Sequence, residues 1–348
     1  MKTVSPYSDC FLCPRRCGIN RDYTGNGYCG ESAELRLACA SIHYGEEPPV
    51  SGTGGFASKA GGSGTIFVSG CNLGCIFCQN WQISLGLPSM SNLNAVQTPE
   101  IHPPVVHDRQ SLGRAVETAE FAGICLVLQE KGAENINIVT GSHAVPAIVK
   151  GIAAAKARGL EIPVLWNSSA YELPETLDML TEAVDVFLPD IKTLDSRIAG
   201  QYHAPDYPVI ASAAIKKMLT MRKIHFKGSQ LISGVMIRHL VLPDCMGSTR
   251  EVLQWFAEHC SGKALLSLMF QYTPVKKAEN IPGRYITEKE YSMALRWLEE
   301  FGIEDGYCQE LVPGNTDWLP DFRKPNPFPS DLSIPVWHWK NGFIRESG

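Results

Sequence analysis

The chain has 348 residues, 44% of them hydrophobic and 19% charged, which is globular composition with ample apolar material for one large domain or a domain plus a small module. A net charge of −5 argues against a nucleic-acid partner or an anionic membrane surface, because either would favour a basic stripe. No apolar run approaches the roughly 20 residues that cross a bilayer, and the opening MKTVSPYSDC has no signal-peptide core, so a reducing cytosol is the expected location.

Twelve cysteines in that setting point to metal ligands rather than disulfides. Residues 1–50 have few long apolar runs and carry the first group: Cys10, Cys13, Cys17 and Cys29. Four thiolates form a closed ligand set. Pro14, Gly18, Gly25 and Gly27 suit a tight knuckle, and Arg15, Arg16 and Arg21 offset the negative charge. A structural zinc and an auxiliary [4Fe–4S] cluster are equal alternatives here, and either would help fold a segment with little core of its own.

A glycine-rich connector (GTGGFASKAGGSG, 52–64) leads into an apolar run at 65–68 that reads as a strand. Directly after it stand Cys71, Cys75 and Cys78, spaced C-x3-C-x2-C. A cubane has four irons and usually takes four cysteines, so three would leave one iron open, the mark of a reactive site rather than a structural one. The alternative is a zinc completed by a distant histidine or cysteine, although zinc knuckles more often pair C-x2-C units. Cys39, Cys125, Cys245, Cys260 and Cys308 are scattered and read as small buried hydrophobes.

The stretch 86–110 is long, polar and proline-containing, either a docking lid or a disordered excursion. Beyond it, apolar runs at 136–140, 162–166, 184–188, 235–242 and 265–270 bring the candidate strands to six. Between them lie helical patterns. Pro174 opens one, with Leu173, Leu177 and Leu180 on a face. Ser248 with Glu251, and Thr287 with Glu290, are expected to form capping boxes, and Tyr291, Leu295 and Leu298 continue an apolar stripe. Strand–helix alternation implies parallel strands with right-handed crossovers, as an open six-stranded barrel or a doubly wound sheet, and ligands beyond the strands' carboxyl ends. The proline- and tryptophan-rich stretch from 312 onward is expected to wrap the surface as a tail.

The segment GCNLGCIFCQN, with Phe77 before its last cysteine and a strand before its first, resembles the radical S-adenosylmethionine (SAM) signature. CFLCPRRCGINRDYTGNGYCG (10–30), HYGEEPPVSG (43–52), GAENINIVTGSH (132–143), LPDIK (188–192), IRHLVLP (237–243), MFQYTPV (269–275) and LPDFRKPNPFP (319–329) extend the resemblance over most of the chain, toward relatives of pyruvate formate-lyase activating enzyme and their PflX-like branch. The resemblance implies a partial (β/α)6 open barrel over 51–312, a cysteine-rich N-terminal module at 1–50 and a C-terminal tail at 313–348. It implies a [4Fe–4S] cluster on Cys71, Cys75 and Cys78 whose open iron is chelated by SAM. Reductive cleavage of SAM to a 5′-deoxyadenosyl radical then abstracts hydrogen from the substrate.

Residue by residue, it puts Phe77 near the adenine, and Thr140, with the following Gly141, Ser142 and His143, near the amino group. Asn167, Ser168, Asp190 and Lys192 belong to the remaining SAM contacts, and Arg238 lies near the carboxylate. The plainer alternatives are an ion pair of Lys192 with Asp190 or Asp195, a structural carboxylate for Arg238 and an ordinary helix-terminal role for His143. Asn167 stands where activating enzymes can carry an aspartate that helps bind a cation, so no cation site is expected. Asp244 stands where relatives often have glycine. The implied function is activation of a glycyl-radical enzyme, such as a pyruvate formate-lyase-like partner, with a flavodoxin- or ferredoxin-type electron donor. Alternatives are a radical SAM enzyme acting on a small molecule or another peptide, and a non-catalytic zinc-binding interaction protein.

Overall fold

The computed structural model describes residues 5–23, 25, 27–52, 61–84, 111–275 and 283–345; the 86–110 stretch, most of the connector and the last three residues lie outside them. The elements run β1 (Arg36–His43), α1 (Pro48–Ser51), β2 (Ser63–Val68), β3 (Arg114–Ala115), α2 (Thr118–Glu130), β4 (Asn135–Val139), α3 (Val145–Lys156), β5 (Val164–Ser168), α4 (Pro174–Asp178), β6 (Val186–Pro189), α5 (Ser196–Gly200) and α6 (Tyr207–Met221). Then come β7 (His225–Lys227), β8 (Gln230–Leu240), α7 (Met246–His259), β9 (Leu265–Met269), α8 (Glu288–Glu300), β10 (Gly306–Cys308), β11 (Ser333–His338) and β12 (Gly342–Phe343). The strands form one sheet in the order β10-β9-β8-β6-β5-β4-β2-β1-β11-β12, with β3 on β1 and β7 on β8.

All six expected strands are present as β2, β4, β5, β6, β8 and β9, adjacent and mutually parallel. Short β10 continues the parallel run. Beyond β2 the sheet turns antiparallel through β1, β11 and β12. The sequence reading did not anticipate this edge. Pro335 makes β11 a poor strand candidate, since proline cannot donate to a ladder. The structure accommodates it where the pairing with β1 slips between Ala40 and Ser41.

Period-two alternation sorts the parallel strands cleanly. Ile66, Ile136, Ile138, Trp166, Phe187, Ile237 and Leu266 face the helices in the main core. Leu165, Val186, Leu188, Met236 and Leu265 face inward and pack on Val50 of α1, which plugs the interior of the curved sheet. Farther along the inner face, Phe67 and Val139 pack on Phe322 and Phe328 from the tail.

Of the three helix starts expected from the sequence, two are as expected and one is not. Pro174 occupies the first turn of α4 as expected. Thr287 and Glu290 form the expected capping box on α8. Replacing Thr287 with alanine is expected to cost about 1 kcal/mol in a denaturant melt. The Ser248–Glu251 box does not form. Helix α7 starts earlier, at Met246, and the Ser248 hydroxyl pairs with that of Thr193 at 2.7 Å. Asp244 adopts a left-handed φ of 62°, the conformation that the glycine of relatives would take freely, and its N–H donates to Glu290. No described helix is long and apolar enough to cross a membrane.

Candidate active site

Continuing each inward face past its apolar residues leads straight to polar ones: Asn167 after Leu165, Asp190 after Leu188, Arg238 after Met236 and Ser267 after Leu265. These side chains line a cavity of about 520 Å³ at the carboxyl ends of the parallel strands. Cys71, Cys75 and Cys78 line the same cavity, delivered by the loop that follows β2. Phe77, Thr140, Ser168 and Lys192 also reach it, whereas Gly141, Ser142 and His143, grouped with Thr140 by the resemblance, do not line it. Phe77 is buried, edge-on to Tyr202 with centroids 5.3 Å apart.

Burial pushes the Cys71 thiol up to about 12, and the neighbouring Cys78 adds to the rise; Cys75 and Cys78 are raised for the same first reason. The charge of Lys192 opposes the rise at all three. Buried thiols of this kind ionise when a metal centre supplies positive charge, which is the donor chemistry an iron–sulfur cluster requires. Among the described residues no three His, Cys, Asp or Glu groups close on a point that would hold a single metal ion. The shared cavity, the three thiols and the nearby lysine fit a cluster.

Lys192 donates to Asp190 at 2.7 Å, and both are largely buried. Burial works against the Lys192 charge, but Asp190 outweighs it and keeps the ammonium well above its ordinary value. Thr140 closes β4 with φ 63°, a strained conformation for a β-branched residue, and such strain clusters at functional sites. Gly141 follows because a Cβ there would meet the Trp166 ring at 2.5 Å. Ser168 donates to Glu172 at 2.8 Å, and Glu172 also accepts from Ser142 and Trp166.

Two candidates have partners that narrow their roles. Arg238 donates through Nε to Glu47 at 2.9 Å and through Nη2 to Glu46 at 2.5 Å as well as to Glu47. Burial opposes ionisation of Glu47, yet the guanidinium beside it holds the carboxyl below its ordinary value. Asn137 donates to Glu46 at 3.0 Å, completing a polar floor beneath the cavity. His143 does not line the cavity. Its Nε2 lies 2.8 Å from the Ser69 carbonyl, and burial brings its pKa down to about 3.

Sequence reasoning gave no role to Glu46, Glu47, Trp318 or Phe328, which also line the cavity. The signal available was the Glu-Glu-Pro-Pro run, two acids followed by a rigid stop. The N-terminal cysteines feel one another's charge but, among the described residues, do not close on a point that would hold a single metal ion. Burial raises Cys13 to about 12 and Cys29 to about 11, and Cys13 feels the charges of Cys29, Cys17 and Cys10.

A curved parallel sheet with three thiols at its carboxyl mouth defines a metallo-enzyme of the partial-barrel class. The Radical SAM superfamily model matches residues 65–253, more than half of the chain, and the chain belongs to that superfamily. Its enzymes work with an iron–sulfur cluster and SAM. A protein of Methanocaldococcus jannaschii, described as uncharacterized protein MJ0674, is 27% identical over 86% of this chain and 76% of its own length. Streptococcus suis SuiB bound to S-adenosylmethionine aligns at 12% identity with a TM-score of 0.44, over 69% of this chain and 48% of SuiB, so the chain spans about half of that protein. A domain of pyruvate-formate lyase-activating enzyme from Bacteroides vulgatus aligns at 11% identity with a TM-score of 0.35, over 48% of this chain and 91% of the domain.

Proposed function

We propose that Cys71, Cys75 and Cys78 hold the catalytic [4Fe–4S] cluster, and that Phe77, Thr140, Asn167, Ser168, Asp190, Lys192 and Arg238 hold SAM against it. The observation that carries this is the convergence of all ten side chains on one cavity. When bound, the cluster and SAM supply one-electron cleavage of a sulfonium carbon–sulfur bond and a carbon radical for hydrogen abstraction. The protein's own work is orientation and exclusion of water. Lys192 balances thiolate charge, Asp190 fixes Lys192, and Glu46 and Glu47 keep the Arg238 guanidinium in place. Trp318 and Phe328 from the tail wall off the cavity's side.

The substrate proposed is a backbone glycine of a glycyl-radical enzyme of the pyruvate formate-lyase kind, with a flavodoxin- or ferredoxin-type protein as electron donor. Support comes from the resemblance of the 10–30, 64–80 and 188–192 segments to activating enzymes. Anaerobic incubation of the cluster-loaded enzyme with reductant, SAM and such a partner is expected to give a glycyl-radical EPR signal on the partner, along with 5′-deoxyadenosine. Formation of 5′-deoxyadenosine without that signal, across candidate partners, would favour a small-molecule or other peptide substrate. The polar floor of Glu46, Glu47 and Arg238 supports that second reading, because it offers directed charges to a compact ligand.

Cys10, Cys13, Cys17 and Cys29 are proposed to hold a second metal centre, a [4Fe–4S] cluster or zinc. The same reading divides the chain into a cysteine-rich module at 1–50, which lends β1 to the sheet, a barrel at 51–312 and a tail at 313–348, in a cytoplasmic enzyme.

A further inference from the structure

The N-terminal cysteine segment grips the loop that carries the catalytic cysteines. Arg15 lies between Cys13 and Cys17. Its Nε donates to the Asn72 carbonyl at 2.9 Å, and its Nη1 donates to the His203 carbonyl at 2.5 Å. The guanidinium carbon sits 3.7 Å from the centroid of the Tyr28 ring and 5.1 Å from that of Tyr171. Asn72 is itself buried and donates to the Tyr171 carbonyl at 2.7 Å, so the residue after Cys71 is held from two sides. Two positions on, a Cβ at Gly74 would come within 2.6 Å of the Tyr28 hydroxyl.

Asn72 and Gly74 are the outer residues of the three-residue spacer between Cys71 and Cys75. Tyr28 and Arg15, each adjacent to or near a cysteine of the first group, therefore bracket that spacer. Arg21 shows the contrast. Within its own module it donates to the Glu31 and Ser32 carbonyls and to Cys10 Sγ at 3.6 Å, and its one contact outside, at 2.7 Å, is to the His143 carbonyl rather than to the Cys71–Cys75 spacer. Arg15 is turned outward, onto the loop, and its charge reaches Cys71.

We propose that Arg15 is a positioning residue for the catalytic cluster: it fixes the Cys71–Cys75 spacer through the Asn72 carbonyl and places a permanent positive charge beside the cluster. This rests on the cluster proposed for Cys71, Cys75 and Cys78. A spacer anchored through its carbonyl presents two thiolates in fixed directions. Outer partners of this kind typically change metal affinity by roughly 10- to 100-fold. A fixed cation nearby also favours the more negative, reduced state of a cluster and so raises its potential.

The test uses the full-length, cluster-loaded chain as wild type, Arg15→Gln and Arg15→Lys. Iron release to the chelator EDTA and the midpoint potential from an EPR-monitored redox titration are measured for each. Arg15→Gln is expected to release iron roughly tenfold faster or more and to show a lower potential. Arg15→Lys is expected to restore the potential, because the charge returns, while still losing iron quickly, because a lysine cannot make the forked contact to two carbonyls. Wild-type retention and potential in a folded Arg15→Gln overturn the proposal. Should Arg15→Gln not fold, Arg15→Lys decides alone, and retention equal to wild type overturns it. A wild-type chain that forms a cluster and cleaves SAM while both variants match it in iron retention and potential sinks only the role of Arg15. A wild-type chain that takes up no cluster on these cysteines sinks the proposed function as well.

Discussion

Cys75→Ala is expected to abolish SAM cleavage: 5′-deoxyadenosine should fall to the level of an enzyme-free control, with loss of the cluster's visible absorbance. The reason is ligand arithmetic. Three local thiols line the cavity, and the scheme needs all of them while leaving one iron for SAM. Removing one leaves two, too few to anchor a cubane. The fold should survive, because Cys75 packs at the edge of the core rather than within it, and the substitution removes one sulfur. A stability change within about 1 kcal/mol of wild type is expected in a denaturant melt of the metal-free chains. Anaerobic reconstitution followed by iron analysis and product chromatography checks both halves. A variant that still forms 5′-deoxyadenosine at the wild-type rate would remove Cys75 from the ligand set.

Arg238→Met should produce the largest change in stability. The wild-type guanidinium is 7% exposed and serves both Glu46 and Glu47. Without it two buried carboxylates stand side by side with no cation, a defect that typically costs about 3–5 kcal/mol. The pH dependence should reverse sign. In the wild type the Glu47 carboxyl is held below its ordinary value, so its contribution is present at neutral pH and is lost as pH falls through that lowered value. In the variant, burial without a partner raises the Glu47 carboxyl, so the folded state binds its proton more tightly than the unfolded one. Its deficit is then largest at neutral pH and shrinks toward the acid side. Urea melts at pH 7 and pH 5 measure this. A deficit that is the same at both values would mean that the two glutamates do not depend on Arg238.

What was legible in the sequence follows from where the physical signal is local. Strands buried on both faces form short apolar runs, so β2, β4, β5, β6, β8 and β9 could be read directly. The cysteine loop was legible because three cysteines fall within eight residues. The antiparallel edge was not. Strand β1 is a run of small and mixed residues (RLACASIH) whose burial comes from both neighbours, and β11 carries a proline that only the slipped register accommodates. Glu46 and Glu47 escaped for a similar reason. Two acids on a loop read as solvated surface until a guanidinium from a strand almost two hundred residues later meets them. Thr287 and Glu290 capped their helix as their spacing suggested, whereas Ser248 found a tertiary partner in Thr193 and the helix began without it. Local spacing fails where a distant hydroxyl competes for the same side chain.

The pairing of β1 with β11 joins an early segment to one far later in the sequence, and this sets an order of events during synthesis. A chain made from its N-terminus at roughly 5–20 residues per second leaves one flank of β1 unpaired until β11 emerges. Trp318 and Phe328 arrive equally late. While the chain is growing, the thiols after β2 therefore face an open cleft rather than a walled chamber. Access to those thiols is widest in that interval, and a nascent chain stalled short of its tail would keep both the cleft and an unpaired strand edge exposed.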